Sequence, residues 1–331
     1  KNNSFFITNF KNVVFIGEHK CLSHFININN SLNIKTLVIT SPDQSKLIDK
    51  KIKFKVFNKL DKKFKRYVLQ EVKVEETLFI SIKSRWIFND QIIKNFFKNN
   101  LINYHPGRLP YYRGGATFSW RIMNGDRIDC QIFHLVNKKI DDGPIIFSEN
   151  SIVPKKCVTP LDFENYNNIQ IIKLYEKFIT RLKKKNKFLM IKQAPFFGQY
   201  YPRLNSKIHG WIDWSISSSK LSKFIDSFDE PYSGASTLLK KEVVYLKQAH
   251  LHGGEISKHN YLSGLVSRHD KNWIVVCTSD ENSLLVEKVL DKKGNNIIKK
   301  VKAGDRFYTP ESKLSFSKKY KAQYGPKGLI K

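Results

Sequence analysis

Asn103 and His105, separated by a single residue, and Asp141, in the acidic turn Asp141-Asp142-Gly143-Pro144, are the residues whose types could do chemistry. An asparagine amide donates hydrogen bonds, and an imidazole exchanges a proton near neutral pH. A carboxylate nearby orients that ring or raises its pKa. Such a set suits acyl transfer to an amine. Donors hold the oxyanion of a tetrahedral intermediate, and a base takes the proton that the attacking nitrogen must lose. A covalent route is disfavoured, because there is no G-x-S-x-G elbow and no cysteine close to the pair. Each motif alone has a plainer reading, Asn-x-His as a hydrogen-bonded strand end and Asp-Asp-Gly-Pro as a common turn. Their sharing of one stretch, 101–148, makes the chemical reading the stronger.

The preceding chain must position them. Val13 to Ile16 is a buried-strand run stopped by Gly17, CLSHFININN follows as a helix, and Lys35 to Thr40 is a second strand. This is a doubly wound β-α-β opening. A lone Gly17 without G-x-G-x-x-G gives no dinucleotide signature. Phe54 to Asn58 and a lysine-rich helix from Asp61 to Val72 repeat the unit. Thr77 to Ile82 is apolar enough for a parallel strand covered on both faces. Asp90 is the predicted N-cap of a helix, QIIKNFFKN. On the next strand, Leu101 to Tyr104, alternation puts Asn103 and His105 on one side and Tyr104 on the other. Pro106-Gly107 breaks it, leaving the pair at a carboxyl end, where ligands bind in open α/β sheets. A short helix (Thr117 to Met123, stopped by Asn124-Gly125), two strands (Cys130 to Val136 and Pro144 to Phe147) and an amphipathic helix (Leu161 to Lys187) follow.

At 331 residues the chain suggests two domains. The expectation is an α/β, Rossmann-like domain over 1–193, a linker over 194–210, and a small OB-like β-barrel over 211–331. The barrel is read from the short runs VVYLKQAHL, NWIVVCTS and SLLVEKVL. Net charge is +29, but only ten of the 58 basic residues are arginine. The lysines are spread with Asn and Ile along the chain, as a compositional bias would spread them and unlike a nucleic-acid-binding stripe. Cys21, Cys130, Cys157 and Cys277 are far apart and form no C-x-x-C pair. That disfavours a metal site or a disulfide framework and fits reduced thiols in a cytoplasmic protein. No apolar run reaches the roughly 18 residues of a membrane span, and the first residues lack a signal-peptide core.

Asn103-Tyr104-His105-Pro106, Leu109-Pro110-Tyr111-Tyr112-Arg113-Gly114 and Ile140-Asp141-Asp142-Gly143-Pro144 closely resemble the 10-formyltetrahydrofolate-dependent formyltransferases. That family carries N-x-H, L-P-x-x-R-G and an acidic D-x-G in the same order. WIDWS, from Trp211, and DEPYSGA, from Asp229, are similar to the start of the second domain of methionyl-tRNA and amino-sugar formyltransferases. The resemblance implies Asn103, His105 and Asp141 as the catalytic triad and 10-formyltetrahydrofolate as co-substrate, with no metal. It implies a folate wall at Trp86, Ile87 and Phe88, a contact at Gly115, and an opposite wall at Asn137, Lys138, Lys139 and Ile140.

The acceptor is less defined. The loop has Gly107-Arg108 where many members have Ser-Leu-Leu-Pro, and the long basic insertion of the tRNA enzymes is replaced by a short TSPDQ. Four of the ten arginines, Arg108, Arg113, Arg121 and Arg127, crowd the motif stretch, and guanidinium forks suit phosphate. Arg108 and Arg113 are therefore phosphate candidates; the plainer reading makes Arg113 a loop anchor and Arg121 a helix-surface residue. Trp120 resembles the sugar-modifying members. A nucleotide-linked amino sugar is the expected acceptor, methionyl-tRNA the alternative, and a non-catalytic nucleic-acid-binding protein a third reading. A homodimer stays open.

Overall fold

A computed structural model describes residues 3–253 and 259–330. Its first sheet has seven strands in the order β3-β2-β1-β4-β5-β6-β7. These are β1 (Asn12–Gly17), β2 (Lys35–Thr40), β3 (Lys55–Val56), β4 (Thr77–Ile82), β5 (Leu101–His105), β6 (Ile128–Leu135) and β7 (Ile145–Ile152). The first five run parallel, and β6 and β7 are added antiparallel. Side-chain alternation sorts the two faces. Val13, Phe15, Ile80, Ile102 and Tyr104 pack under α1 (Leu22–Ser31) and α4 (Pro160–Lys183). Val14, Ile16, Phe79 and Leu101 pack under α2 (Lys62–Glu71) and the Phe96-Phe97 turn. Asn103 and His105 continue the Leu101 row, so the candidate pair emerges on the second face.

The predicted elements form with local differences. The expected strand over 54–58 shrinks to the exposed two-residue β3, since only Lys55 and Val56 pair with β2. QIIKNFFKN winds into a wide π-helical turn at Ile92–Phe96, and Asn89, not Asp90, caps it: the Asn89 side chain accepts from the Ile92 N–H at 2.9 Å. Asp90 lies in the first turn and reaches Lys94 at 3.8 Å. The α4 start is fixed by a capping box between Thr159 and Asp162, with Pro160 as the first helical residue.

The second sheet is antiparallel, in the order β10-β11-β12-β9-β8-β13. Its strands are β8 (Ala235–Leu239), β9 (Glu242–His252), β10 (Val266–His269), β11 (Ile274–Cys277), β12 (Ser283–Leu290) and β13 (Phe307–Tyr308). It curls until its edges meet: Val266 N–H donates to Asp305 and Phe307 N–H to Gly264, both at 2.8 Å. Helix α5 (Ser218–Ser227) crosses this sheet and packs on α3 (Thr117–Asn124) of the first domain, where Met123 joins the second core. The 194–210 stretch is more than a spacer. Tyr200-Tyr201 pairs in parallel with Arg113-Gly114, tying the stretch to the motif loop. Among the described residues no helix is long and apolar enough to cross a membrane.

Arg121, which the plainer reading put on a helix surface and the other counted in an arginine cluster suited to phosphate, is fully buried and pairs with buried Asp129 at 2.6 Å. The pair anchors α3 to β6 beneath the motif loop. Removing one partner strands the other charge, a loss of about 3–5 kcal/mol, whereas replacing both with apolar residues is far better tolerated. We expect Asp129→Ala to lower unfolding free energy by about that amount. Arg121→Met combined with Asp129→Leu should recover most of it, as read from denaturant midpoints at constant slope.

Candidate active site

Asp141 is the point where the motifs meet. Its Oδ1 accepts from the Asn103 amide at 3.2 Å and lies 3.4 Å from His134 Nε2. Its Oδ2 accepts from the Gly114 N–H at 2.9 Å and lies 3.5 Å from His105 Nδ1. All three sequence-expected residues are thus brought into one cluster. The other side of the His105 ring is fixed: Nε2 sits 2.5 Å from the Tyr112 carbonyl, which can only accept, so the neutral ring carries its proton on Nε2. Nδ1 is left as the exchangeable position, facing Asp141.

His134 is the member that sequence reasoning passed over. It pairs directly across from Asn103 in the β5–β6 register, so both side chains share a face. Its Nδ1 donates to the Leu135 carbonyl at 2.9 Å, which leaves Nε2 to accept from the Asn103 amide at 3.1 Å. Both amide hydrogens of Asn103 are therefore engaged, one by Asp141 and one by His134. A histidine two residues beyond Ile132 on the strand paired with Asn103 was the available signal, usable only once register is known.

Two glycines allow this close approach. Gly114 has φ +103°, and a Cβ there would lie 2.1 Å from the Tyr201 carbonyl oxygen. At Gly143 a Cβ would lie 1.7 Å from the Leu135 carbonyl oxygen, so only glycine lets the acidic turn fold back on β6. Asp141 itself is left-handed, φ +48°, a conformation that aspartate tolerates better than most residues. Gln193 braces the turn: its amide donates to the Asp141 and Gly143 carbonyls at 2.9 and 2.8 Å.

The remaining sequence candidates are placed less uniformly. Trp86 and Phe88 are buried in the core of the second sheet face, while Ile87 between them is 82% exposed. Trp86 and Ile87 still line a cavity of about 440 Å³, with Leu60 and Ile92 on one side and Pro326 and Ile330 of a C-terminal hairpin on the other. Asn137 is braced to Asp142 at 3.3 Å, and Lys138, Lys139 and Ile140 are exposed. Gly115 donates its N–H to Tyr201 at 3.0 Å. Arg113 is committed to structure, its fork paired with Asp142 at 2.6 Å and Gln193 at 3.0 Å. Arg108 pairs with Asp126 at 2.6 Å, and Arg127 is held by the Val153, Pro154 and Cys157 carbonyls.

The electrostatics follow from burial and neighbours. Burial alone would push the Asp141 carboxyl up, but the His105 charge, then His134, then the Gly114 N–H outweigh it and hold it well below the usual carboxylate range. Burial also pushes His105 below the ordinary imidazole value, and Asp141 opposes that. Asp141 is the ionised member of the pair at neutral pH. A carboxyl whose folded pKa is depressed stabilises the fold above its unfolded pKa and loses that contribution as pH falls through the folded one. We expect wild-type unfolding free energy to fall as pH drops below about 4. Asp141→Asn should show a shallower loss over the same acid range in denaturant titrations.

Comparison with known proteins bears on the family and the fold. The formyl transferase family model matches residues 11–161, and the model of the formyl transferase C-terminal domain matches 205–302. The bifunctional polymyxin resistance protein ArnA of Wigglesworthia glossinidia brevipalpis is 27% identical over 178 residues, 53% of this chain and 26% of that protein. The chain thus spans about a quarter of that relative. Methionyl-tRNA formyltransferase of Clostridium beijerinckii is 21% identical over 77% of this chain and 83% of its own length. Among solved structures, the N-formyltransferase from Helicobacter canadensis, in complex with folinic acid and dTDP-3-aminofucose, superposes with a TM-score of 0.63. It is 17% identical and covers 84% of this chain and 99% of its own, a likeness of fold. Carrying both family domains in order, the chain belongs to the formyltransferase family.

Proposed function

We propose that this protein transfers the formyl group of 10-formyltetrahydrofolate to the amine of a nucleotide-linked amino sugar. The convergence of Asn103, His105 and His134 on the Asp141 carboxylate, each within 3.5 Å, carries the reading. The amine lone pair attacks the formyl carbon and the carbonyl becomes an oxyanion; its collapse breaks the bond from that carbon to the folate nitrogen, so the amine sheds a proton as the folate nitrogen gains one. His105 can serve both transfers at Nδ1, since its Nε2–H is held by Tyr112, and the imidazolium so formed lies against Asp141. The Asn103 amide donates to the oxyanion by giving up its longer contact, that to Asp141. His134 acts as a positioning residue that keeps the amide nitrogen turned inward. The cavity beside Trp86 and Ile87 is the place we assign to the folate.

The sugar reading is supported by the fold likeness to an N-formyltransferase solved with a dTDP-amino sugar. The tRNA reading rests on sequence relatives of low identity. One assay separates them: 10-formyltetrahydrofolate offered with dTDP-, UDP- and GDP-linked amino sugars beside methionyl-tRNA. Transfer to a nucleotide sugar is the expected result, and transfer to the tRNA alone would overturn it. In the same assay His105→Ala should cut turnover by roughly a hundredfold to ten-thousandfold. Asn103→Ala should lose about 3 kcal/mol of transition-state stabilisation. Near-wild-type rates in either folded variant would remove these residues from the mechanism.

A further inference from the structure

Arg203 stands apart from the other arginines near the site. Arg108, Arg113 and Arg121 each meet a carboxylate at 2.6 Å, and Arg127 is held by backbone carbonyls. Among the described residues, no carboxylate or hydrogen-bond acceptor lies within bonding distance of the half-buried Arg203. Its stem packs on Gly115, where a Cβ would come within 2.4 Å of the Arg203 Cγ. The neighbouring Gly114 is the residue whose N–H holds Asp141. The guanidinium lies 5.8 Å from the ring of Tyr324, and the guanidinium of Arg85 lies 5.1 Å from the same ring. Arg85 is paired with Asp43 at 2.8 Å, leaving Arg203 as the unmatched charge of the two. Burial and the Arg85 charge both disfavour its protonated form, with Tyr200, Tyr324 and Asp141 opposing.

The position is also pinned. The indole N–H of Trp120 donates to the Pro202 carbonyl at 2.9 Å, Tyr201 stacks on Tyr112 at 5.0 Å, and the Tyr201 carbonyl accepts from Gly115. Tyr324 comes from the C-terminal hairpin, beyond residue 302 where the second family match ends, and the Pro326 carbonyl accepts from the Asp43 N–H at 3.2 Å. A fixed, partly desolvated cation beside a second cation is costly without an anion. A guanidinium fork matches the oxygens of a phosphate or a carboxylate.

We propose that Arg203, with Arg85, binds the diphosphate of the acceptor, under a strap formed by the Tyr324 hairpin. This rests on the nucleotide-sugar reading above and moves the phosphate contact away from Arg113, whose fork is occupied. The glutamyl carboxylate of the folate offers the other anionic source, so the test must separate the two. Binding of inorganic diphosphate and of 5-formyltetrahydrofolate to the full chain is measured by calorimetry for wild type, Arg203→Gln and Arg203→Lys. Arg203→Gln should weaken diphosphate at least tenfold and change the folate ligand less than twofold, with Arg203→Lys in between. Its unfolding temperature should equal or exceed that of wild type, because an unmatched charge is removed; a merely structural arginine would lower it. Unchanged diphosphate affinity, an equal loss for the folate, or a drop in unfolding temperature would overturn the assignment. Wild type binding folate but not diphosphate would do so with the formyl-transfer reading intact. Binding of neither would sink the reading beneath it.

Discussion

The Asp141 carboxylate is the constraint on which the site depends. A buried charge is tolerated only when neighbouring groups replace its lost hydration. Two donors come from separate stretches, the Gly114 N–H from the motif loop and the Asn103 amide from β5, and His105 of β5 and His134 of β6 stand within 3.5 Å. Satisfying one carboxylate therefore fixes a loop, two strands and a turn at once. The turn is in turn braced by Gln193, so the start of the 194–210 stretch is drawn into the same arrangement. Chemistry and folding here share the same hydrogen bonds, which is why the site needs glycine at 114 and 143.

Much of this was legible in the residues. Apolar runs located the parallel strands, since a strand buried on both faces has no freedom to be polar. Alternation placed Asn103 and His105 together and Tyr104 opposite. What failed depended on partners distant in sequence. Arg121 looks like a surface residue in its helix, and only the approach of Asp129 from β6 makes its burial tolerable. Arg113 looks free until Asp142 and Gln193 arrive from 29 and 80 positions away. Asn89 and Asp90 are both good caps, and the choice between them is decided by how the following turn packs. His134 carries no local mark at all, because its meaning lies in the strand register.

The charge distribution of the site reverses that of the chain. Lysine dominates the +29 net charge and lies mostly at the solvated surface, where it stays flexible and hydrated. Arginine is scarce and is concentrated where geometry matters, in ion pairs with Asp126, Asp142 and Asp129 and over the rings of Tyr111 and Phe163. A planar guanidinium loses less on being fixed than an ammonium on a flexible stem. Asp126, Asp129 and Asp142 are thus spent on holding the motif stretch in place. A cation without an acidic partner in such surroundings marks a place where the protein is not self-sufficient.

The sheet topology explains why the cluster forms where it does. Had β6 run parallel to β5, a long crossover would have been needed between them. An antiparallel β6 instead passes His105 first, at Ile132, and then Asn103, at His134. The chain then reverses through 136–144 and returns as β7. β6 therefore ends beside the start of β5, where the Val136 N–H donates to the Leu101 carbonyl at 3.0 Å, and the turn reaches Asn103 and His105 by folding back along the strand. The five parallel strands present Asn103 and His105 at a carboxyl end, and the turn after β6 brings a carboxylate back to them. The folding back of that turn on β6, which Gly143 permits against the Leu135 carbonyl, together with the Gly114 N–H that holds Asp141, brings the three motifs of the sequence to one point.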